Sequence, residues 1–224
     1  MTDILLIIAI ILFFACGVVW FIGYHVLDRI KHPEEWQTTG SSGERILYNS
    51  LIKKFHISEE QIFRNLYVPT RNGKTSEIDL IVISKKGLLV FECKNYGGNI
   101  YGDARRTNWV QYIGNQKNYF YSPLLQNKNH VKHLKAFLAK NKIDVPITPI
   151  IATITRGTWK VRNLSQNDYL LGYNCHFADV YQSLPDSIAV AQNFKTIIRI
   201  LSPLARPNTA TRENHTQNIK DGYN

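Results

Sequence analysis

The stretch EIDLIVISKKGLLVFECK, Glu77 to Lys94, decides the fold. Its two apolar runs are joined by Lys85-Lys86-Gly87, a short link that favours an antiparallel hairpin. Three charged side chains interrupt it. Asp79 sits inside the first run, and Glu92 and Lys94 close the second. A turn symmetric about Lys85-Lys86 sets position i opposite position 171 − i, so Asp79 faces Glu92, with Cβ atoms about 4.5–5.5 Å apart. Lys94, two residues beyond Glu92, points to the same face. Two carboxylates opposed on an apolar hairpin destabilise it unless something offsets their charge. A divalent cation does so economically. Hard carboxylate oxygens suit Mg²⁺ or Mn²⁺, ions that keep several waters and bind phosphate oxygens. A lysine beside such an ion holds a phosphate or orients an attacking water. The competing reading is an ordinary salt-bridged patch at a sheet end, and a one-residue slip in register would separate the pair.

Upstream, Ser41 and Glu44 stand three residues apart in a capping-box pattern. Leu47, Leu51 and Phe55 follow at helical spacing, which predicts a helix to about Phe55 with one apolar face. Phe63 to Pro69 reads as a strand before the hairpin. Downstream, 95–108 is rich in Gly and Asn, with short strands expected at Asn99–Tyr101 and Trp109–Tyr112. Pro123 opens a second helix carrying Leu124, Leu125, Val131, Leu134 and Leu138, with Lys140 near its end. Ile150–Ile154 is short and almost wholly apolar, which suits a buried strand parallel to its neighbour after a helical crossover. A last helix is expected over Ser187–Leu201, and 202–224 reads as a disordered polar tail. The order predicts an α/β fold, a mixed sheet with helices packed on it.

The residues then carry a resemblance. Asp79, followed after a gap by Glu92-Cys93-Lys94, resembles the D…E-x-K core of the PD-(D/E)xK nuclease superfamily. Around it, in order, stand Gly43-Glu44, Glu77-Ile78-Asp79, Gly87, Asn95, Gly102, Trp109 with Gln111, and Pro123, Gln126 and His130. This wider set resembles the nuclease-related domain family, NERD, over residues 43 to about 138. Ser122 departs from that family's frequent Asn before the proline. The resemblance implies a restriction-endonuclease-like mixed sheet flanked by helices. It implies metal ligation by Asp79, Glu92 and the Cys93 backbone carbonyl, with Lys94 positioning the water. Glu44 becomes an accessory acid, although its place in the capping box accounts for it equally well. Gln126 and His130, four apart on one helix face, become groups that reach a phosphate or a metal-bound water, against a plain polar face as the alternative. Gln111 is a weaker substrate contact. Trp109 is expected to pack rather than to stack on a base.

Residues 4–23 carry no charged side chain, and about 20 such residues cross a bilayer as a helix. Trp20 and Tyr24 stand at the end of the run, where amphipathic rings favour the headgroup layer. A cleaved signal peptide fits less well. Met1-Thr2-Asp3 lacks Lys and Arg, and no small-x-small site follows. The expected organisation is therefore a transmembrane helix at 4–24, a linker at 25–40, a nuclease-like domain at 41–201 and the tail. No basic residue precedes Arg29, so the positive-inside rule puts the N-terminus outside and the domain in the cytosol, with a bacterial inner membrane as the expected compartment. The three cysteines, Cys16, Cys93 and Cys175, are too sparse for a disulfide framework or a zinc site.

The formal charge is +10, from 27 basic and 17 acidic residues, which points to an acidic partner. The expectation is a membrane-anchored, Mg²⁺- or Mn²⁺-dependent hydrolase of phosphodiester bonds in nucleic acid, DNA foremost. The alternatives are a catalytically weak nucleic-acid tether on the same fold, and a scaffold whose positive charge meets anionic lipid.

Overall fold

The computed structural model describes residues 41–154, 157–172 and 177–205. The expected membrane span, its linker and the tail from 206 onward lie outside them, and no helix among the described residues is long and apolar enough to cross a membrane. The chain divides after Arg45 into two compact units, and both sheets belong to the second. The elements are α1 (Ser41–Lys53), β1 (Ile62–Pro69), β2 (Thr75–Ser84), β3 (Gly87–Lys94), β4 (Asn99–Asp103), β5 (Asn108–Ile113), β6 (Gln116–Tyr121), α2 (Pro123–Lys140), β7 (Ile147–Thr153), β8 (Thr158–Arg162), β9 (Tyr169–Leu171), α3 (Phe177–Ser183) and α4 (Ile188–Leu201).

They form a mixed α/β fold with two mixed sheets flanked by helices. The first sheet has the order β1-β2-β3-β7-β9, and the second has β6-β5-β4-β8. In the first, β1, β2 and β3 are antiparallel neighbours, whereas β7 runs parallel to β3 and β9 parallel to β7. The α2 crossover between β3 and β7 is what permits that parallel pairing. The hairpin closes as its sequence predicts, from Ser84↔Gly87 to Leu80↔Phe91. Gly87 adopts φ 133°, and a Cβ there would lie 2.5 Å from the Pro146 carbonyl oxygen, so only glycine fits this turn beside β7.

Both faces of the hairpin are buried, which is why its strands read as almost unbroken apolar runs. On one face Leu47 and Leu51 of α1 and Phe177 of α3 pack with Leu80, Val82, Leu89 and Phe91. On the other, Val131, Leu134 and Leu138 of α2 and Ile197 and Leu201 of α4 pack with Ile81, Ile83, Leu88 and Val90.

The alternation breaks at one place. Ile78 and Ile81 share a core, while Leu80 belongs to the opposite one. Strict period two would put residues 78 and 80 together. The neighbouring strand breaks at the same level. Phe63 and Leu66 share a core, and Asn65 between them has φ 50°. Asn tolerates this left-handed conformation better than most residues. The irregularity is therefore paired, Asn65 on β1 beside Asp79 on β2. It corrects the expectation of a regular ladder through Asp79 and Glu92.

The second sheet was only half legible. Its β4 and β5 were expected, but β6, β8 and the short β9 of the first sheet, together with α3, were not. Strand β6 is exposed along almost its whole length, so it shows no buried alternation to read. The sheet's inner face buries Ile100 and Trp109 against Leu124 of α2 and Ile151 of β7. Trp109 thus packs as expected. A Cβ on Gly102 would stand 2.5 Å from the Trp109 ring, so this close approach needs glycine.

Candidate active site

Helix α2 is built to start where it does. Ser122 is its N-cap, accepting from the Leu125 N–H, and Pro123 occupies the first turn. Asn127, wholly buried, holds the helix on the sheet. Its Nδ2 donates to the carbonyls of Val90 at 2.9 Å and Ile150 at 3.1 Å. That anchor fixes the rotation of α2, and it turns Gln126 and His130 toward the last residues of β3.

Glu92 is the centre of the resulting cluster. Its side chain is 1% exposed, and Lys94 Nζ lies 2.6 Å from Oε1. His130 Nε2 lies 3.2 Å from Oε2. The other imidazole nitrogen, Nδ1, is 2.7 Å from Ser76 Oγ on β2, which orients the ring. Lys94 Nζ also donates to Gln126 Oε1 at 3.1 Å. Asp79 enters from the broken point of β2, and its Oδ2 accepts the Cys93 backbone N–H at 2.7 Å. A side chain thus replaces the ladder bond that the irregular strand does not make. Alternation along β3 directs the Cys93 carbonyl to the same side as its N–H, toward Asp79.

The electrostatics follow from this packing. Burial pushes the Glu92 carboxyl up, but the His130 contact and the Lys94 charge outweigh it and hold the group below its ordinary value. Burial likewise pushes Lys94 down, and the Glu92 charge, with a smaller contribution from Asp79, reverses this and leaves it raised. Both groups are therefore charged at neutral pH. Both carboxylate oxygens are buried, with the Lys94 and His130 contacts against them. A buried, ionised carboxylate keeps lone pairs beyond these two contacts, and such lone pairs suit a cation. Among the described residues no three His, Cys, Asp or Glu side chains cluster as a ligand set. The donors present are two carboxylates and a carbonyl. They fit Mg²⁺, which takes one or two carboxylates and completes its octahedron with water and phosphate oxygens, and do not fit a zinc cage.

The structure thus brings Asp79, Glu92, Cys93, Lys94, Gln126 and His130 together at one end of the first sheet. It does not bring Gln111 there. That side chain faces inward from β5 and donates to the Gly97 carbonyl at 2.9 Å, bracing the loop after Lys94. Glu44 stands half-buried in the first turn of α1, within the first compact unit. Two contributors went unrecognised in the sequence. Ser76 is a common residue near a turn and gives no signal. Asn127 did give one: a polar residue on the same stripe as Leu124, Val131 and Leu134 announces a buried amide. A basic cavity of about 390 Å³ lies further along α2, lined by Arg71, Lys132, His133 and Lys140 among others.

The chain belongs to the nuclease-related domain family, NERD, whose profile matches residues 39–154. An uncharacterized protein of Bacillus anthracis is similar, with 27% identity over 195 residues, covering 87% of this chain and 87% of its own length. No solved structure matches the chain. The family and the mixed α/β architecture together make this a nuclease-related protein.

Proposed function

We propose that the protein is a metal-dependent phosphodiesterase acting on nucleic acid, DNA foremost, on a restriction-endonuclease-like core. The observation that carries this reading is the meeting of Asp79, Glu92 and Lys94 under α2, where a broken strand turns Asp79 out of its ladder. Asp79, Glu92 and the Cys93 carbonyl would hold Mg²⁺ or Mn²⁺, which supplies a water activated at neutral pH and charge for the phosphate oxygens. Lys94, held charged by Glu92, orients the attacking water and meets the negative charge that grows in the transition state. Gln126 restrains the Lys94 ammonium. His130, steadied by Ser76, completes the wall on the helix side, where a scissile phosphate would lie. Gln111 acts through the Gly97 loop. The basic cavity along α2 supports an anionic backbone running past the site. The uncharged run at 4–24 would tether the domain to the inner membrane, on its cytosolic side.

One observation favours a second reading. Glu92 already meets the Lys94 ammonium and the His130 imidazole, an arrangement that also suits a non-catalytic nucleic-acid tether. Cleavage of DNA with Mg²⁺ or Mn²⁺ separates the two. Asp79→Asn keeps an oxygen for the Cys93 N–H while removing a ligand charge. Turnover is expected to fall by more than the 10- to 100-fold typical of outer-sphere metal contacts, roughly 100-fold or beyond. Equal rates for wild type and variant would leave the tether.

A further inference from the structure

The outer face of the second sheet is unlike any other surface of the described chain. Its register places Lys160, Tyr101, Val110 and Tyr119 side by side across β8, β4, β5 and β6. The next row on the same face holds Tyr112 beside Lys117, and the row on the other side holds Arg162 at one edge and Tyr121 at the other. The core does not need these rings, because the opposite parity, with Ile100 and Trp109, already fills the inner face. Tyr119 is 69% exposed, Tyr121 43% and Tyr101 41%. Sheet surfaces turned to water are ordinarily polar, and three large rings left outside on one face mark a contact surface.

The cations on this face are arranged around the rings. Lys117 Nζ stands 4.9 Å from the Tyr119 centroid and 5.9 Å from that of Tyr112. Lys160 Nζ stands 5.5 Å from the Tyr101 centroid. Tyr101 and Tyr112 meet edge to face at 5.7 Å. An open groove of about 620 Å³ runs between Tyr101, Tyr119, Lys160 and Arg162. The four strands contain one acid, Asp103. Its carboxylate is already committed, taking the Arg105 N–H at 2.9 Å and the Asn163 amide at 2.9 Å. The face is therefore positive, aromatic and grooved.

From this juxtaposition of exposed tyrosines and lysines on the outer face of β8, β4, β5 and β6 we infer that the second sheet is a docking platform for single-stranded nucleic acid. The proposal deepens the function given above and rests on its substrate class. A single strand offers both chemistries that the face can use. Its bases present π-faces to Tyr101 and Tyr119, and its phosphates meet Lys117, Lys160 and Arg162. A duplex keeps its bases stacked on one another and would engage the cations alone. Stacking tolerates any base, so the platform binds with little sequence preference.

The test is binding of a fluorescent oligothymidylate of about 12 nucleotides, within the span of known single-strand platforms. The full chain is used, solubilised in a non-ionic detergent, with chelator present so that no metal contributes. Wild type is expected to bind, and Tyr101→Ala and Tyr119→Ala to weaken binding about ten-fold or more each. Tyr119→Phe retains most of the affinity, because the ring and not the hydroxyl stacks. Lys160→Ala lowers the salt slope by about one phosphate contact. Unchanged thermal midpoints in all four variants exclude loss of fold. The proposal is overturned if the alanine variants bind as wild type does. It is also overturned if duplex of equal length binds as tightly and with the same tyrosine dependence, or if vesicles containing anionic lipid bind this face and the oligonucleotide does not. The two readings fail separately. Tyrosine-dependent binding without Asp79-dependent cleavage would leave the platform and remove the hydrolase. Asp79-dependent cleavage of single strands with unchanged KM in the tyrosine variants would do the reverse.

Discussion

The two sheets of this protein solve different problems with similar strands. In the first, helices cover both faces, and Leu80, Ile81, Val82, Leu88, Leu89 and Val90 are wholly buried. Polarity enters such a sheet only at a cost, and its charged groups, Asp79, Glu92 and Lys94 with His130 beside them, gather at one end. In the second sheet one face is covered and the other carries tyrosines and lysines at no penalty in packing. The difference teaches where each kind of function can be built. A site that must hold charges at fixed distances in low dielectric belongs at the margin of a doubly covered sheet. A surface that must accept a variable, anionic strand belongs on a face that folding leaves open.

Four substitutions test that contrast, from the largest effect on stability to the smallest. Lys94→Met removes one partner of the buried Glu92 charge and should cost roughly 3–5 kcal/mol in denaturant unfolding near neutral pH. The pH dependence gives this its signature. Glu92 is lowered in the folded state, so its contribution is complete above about pH 4.3 and drains away as pH falls through the folded value. Lys94 is raised, so its contribution is complete below about pH 10.4 and is lost as pH rises through its folded value. The penalty of Lys94→Met is therefore greatest between these limits and shrinks in acid, where Glu92 takes up a proton. A penalty constant with pH would mean lost packing alone.

Leu80→Ala, beneath α1 in the first sheet, should cost about 2–5 kcal/mol by the same measurement, because its neighbours close only partly over the gap. Gly102→Ala on the covered face of the second sheet sets a methyl group against the Trp109 ring and should cost about 1–3 kcal/mol. Tyr119→Ala on the open face should change stability by no more than about 0.5 kcal/mol. A Tyr119→Ala cost as large as that of Leu80→Ala would show that the open face is covered in the folded protein and would erase the distinction between the sheets.

The legible part of the site is the part that neighbours in sequence create. Asp79, Glu92 and Lys94 lie within one hairpin, and a turn of known length sets their register with no outside information, down to the pairing Leu80↔Phe91. The illegible part comes from elsewhere in the chain. The departure of Asp79 from the ladder depends on the left-handed Asn65 in the strand beside it, and no pattern within β2 announces that.

By itself, then, the sequence determined the elements marked by a helical period, a strand-like apolar run or flanking turn residues: α1, β1 to β5, α2, β7 and α4. It also determined that carboxylates and a lysine share an apolar hairpin. Tertiary structure decided what local pattern cannot carry. Pairing of β8 with β4 joins Arg162 to Asp103 across 59 positions of chain, and nothing in either segment encodes the other. Glu92 acquires its full surroundings only when His130 arrives from α2, its ring oriented by Ser76 of β2. The open face of the second sheet is likewise invisible in one dimension, because an exposed strand such as Gln116–Tyr121 has no burial to impose a period on it.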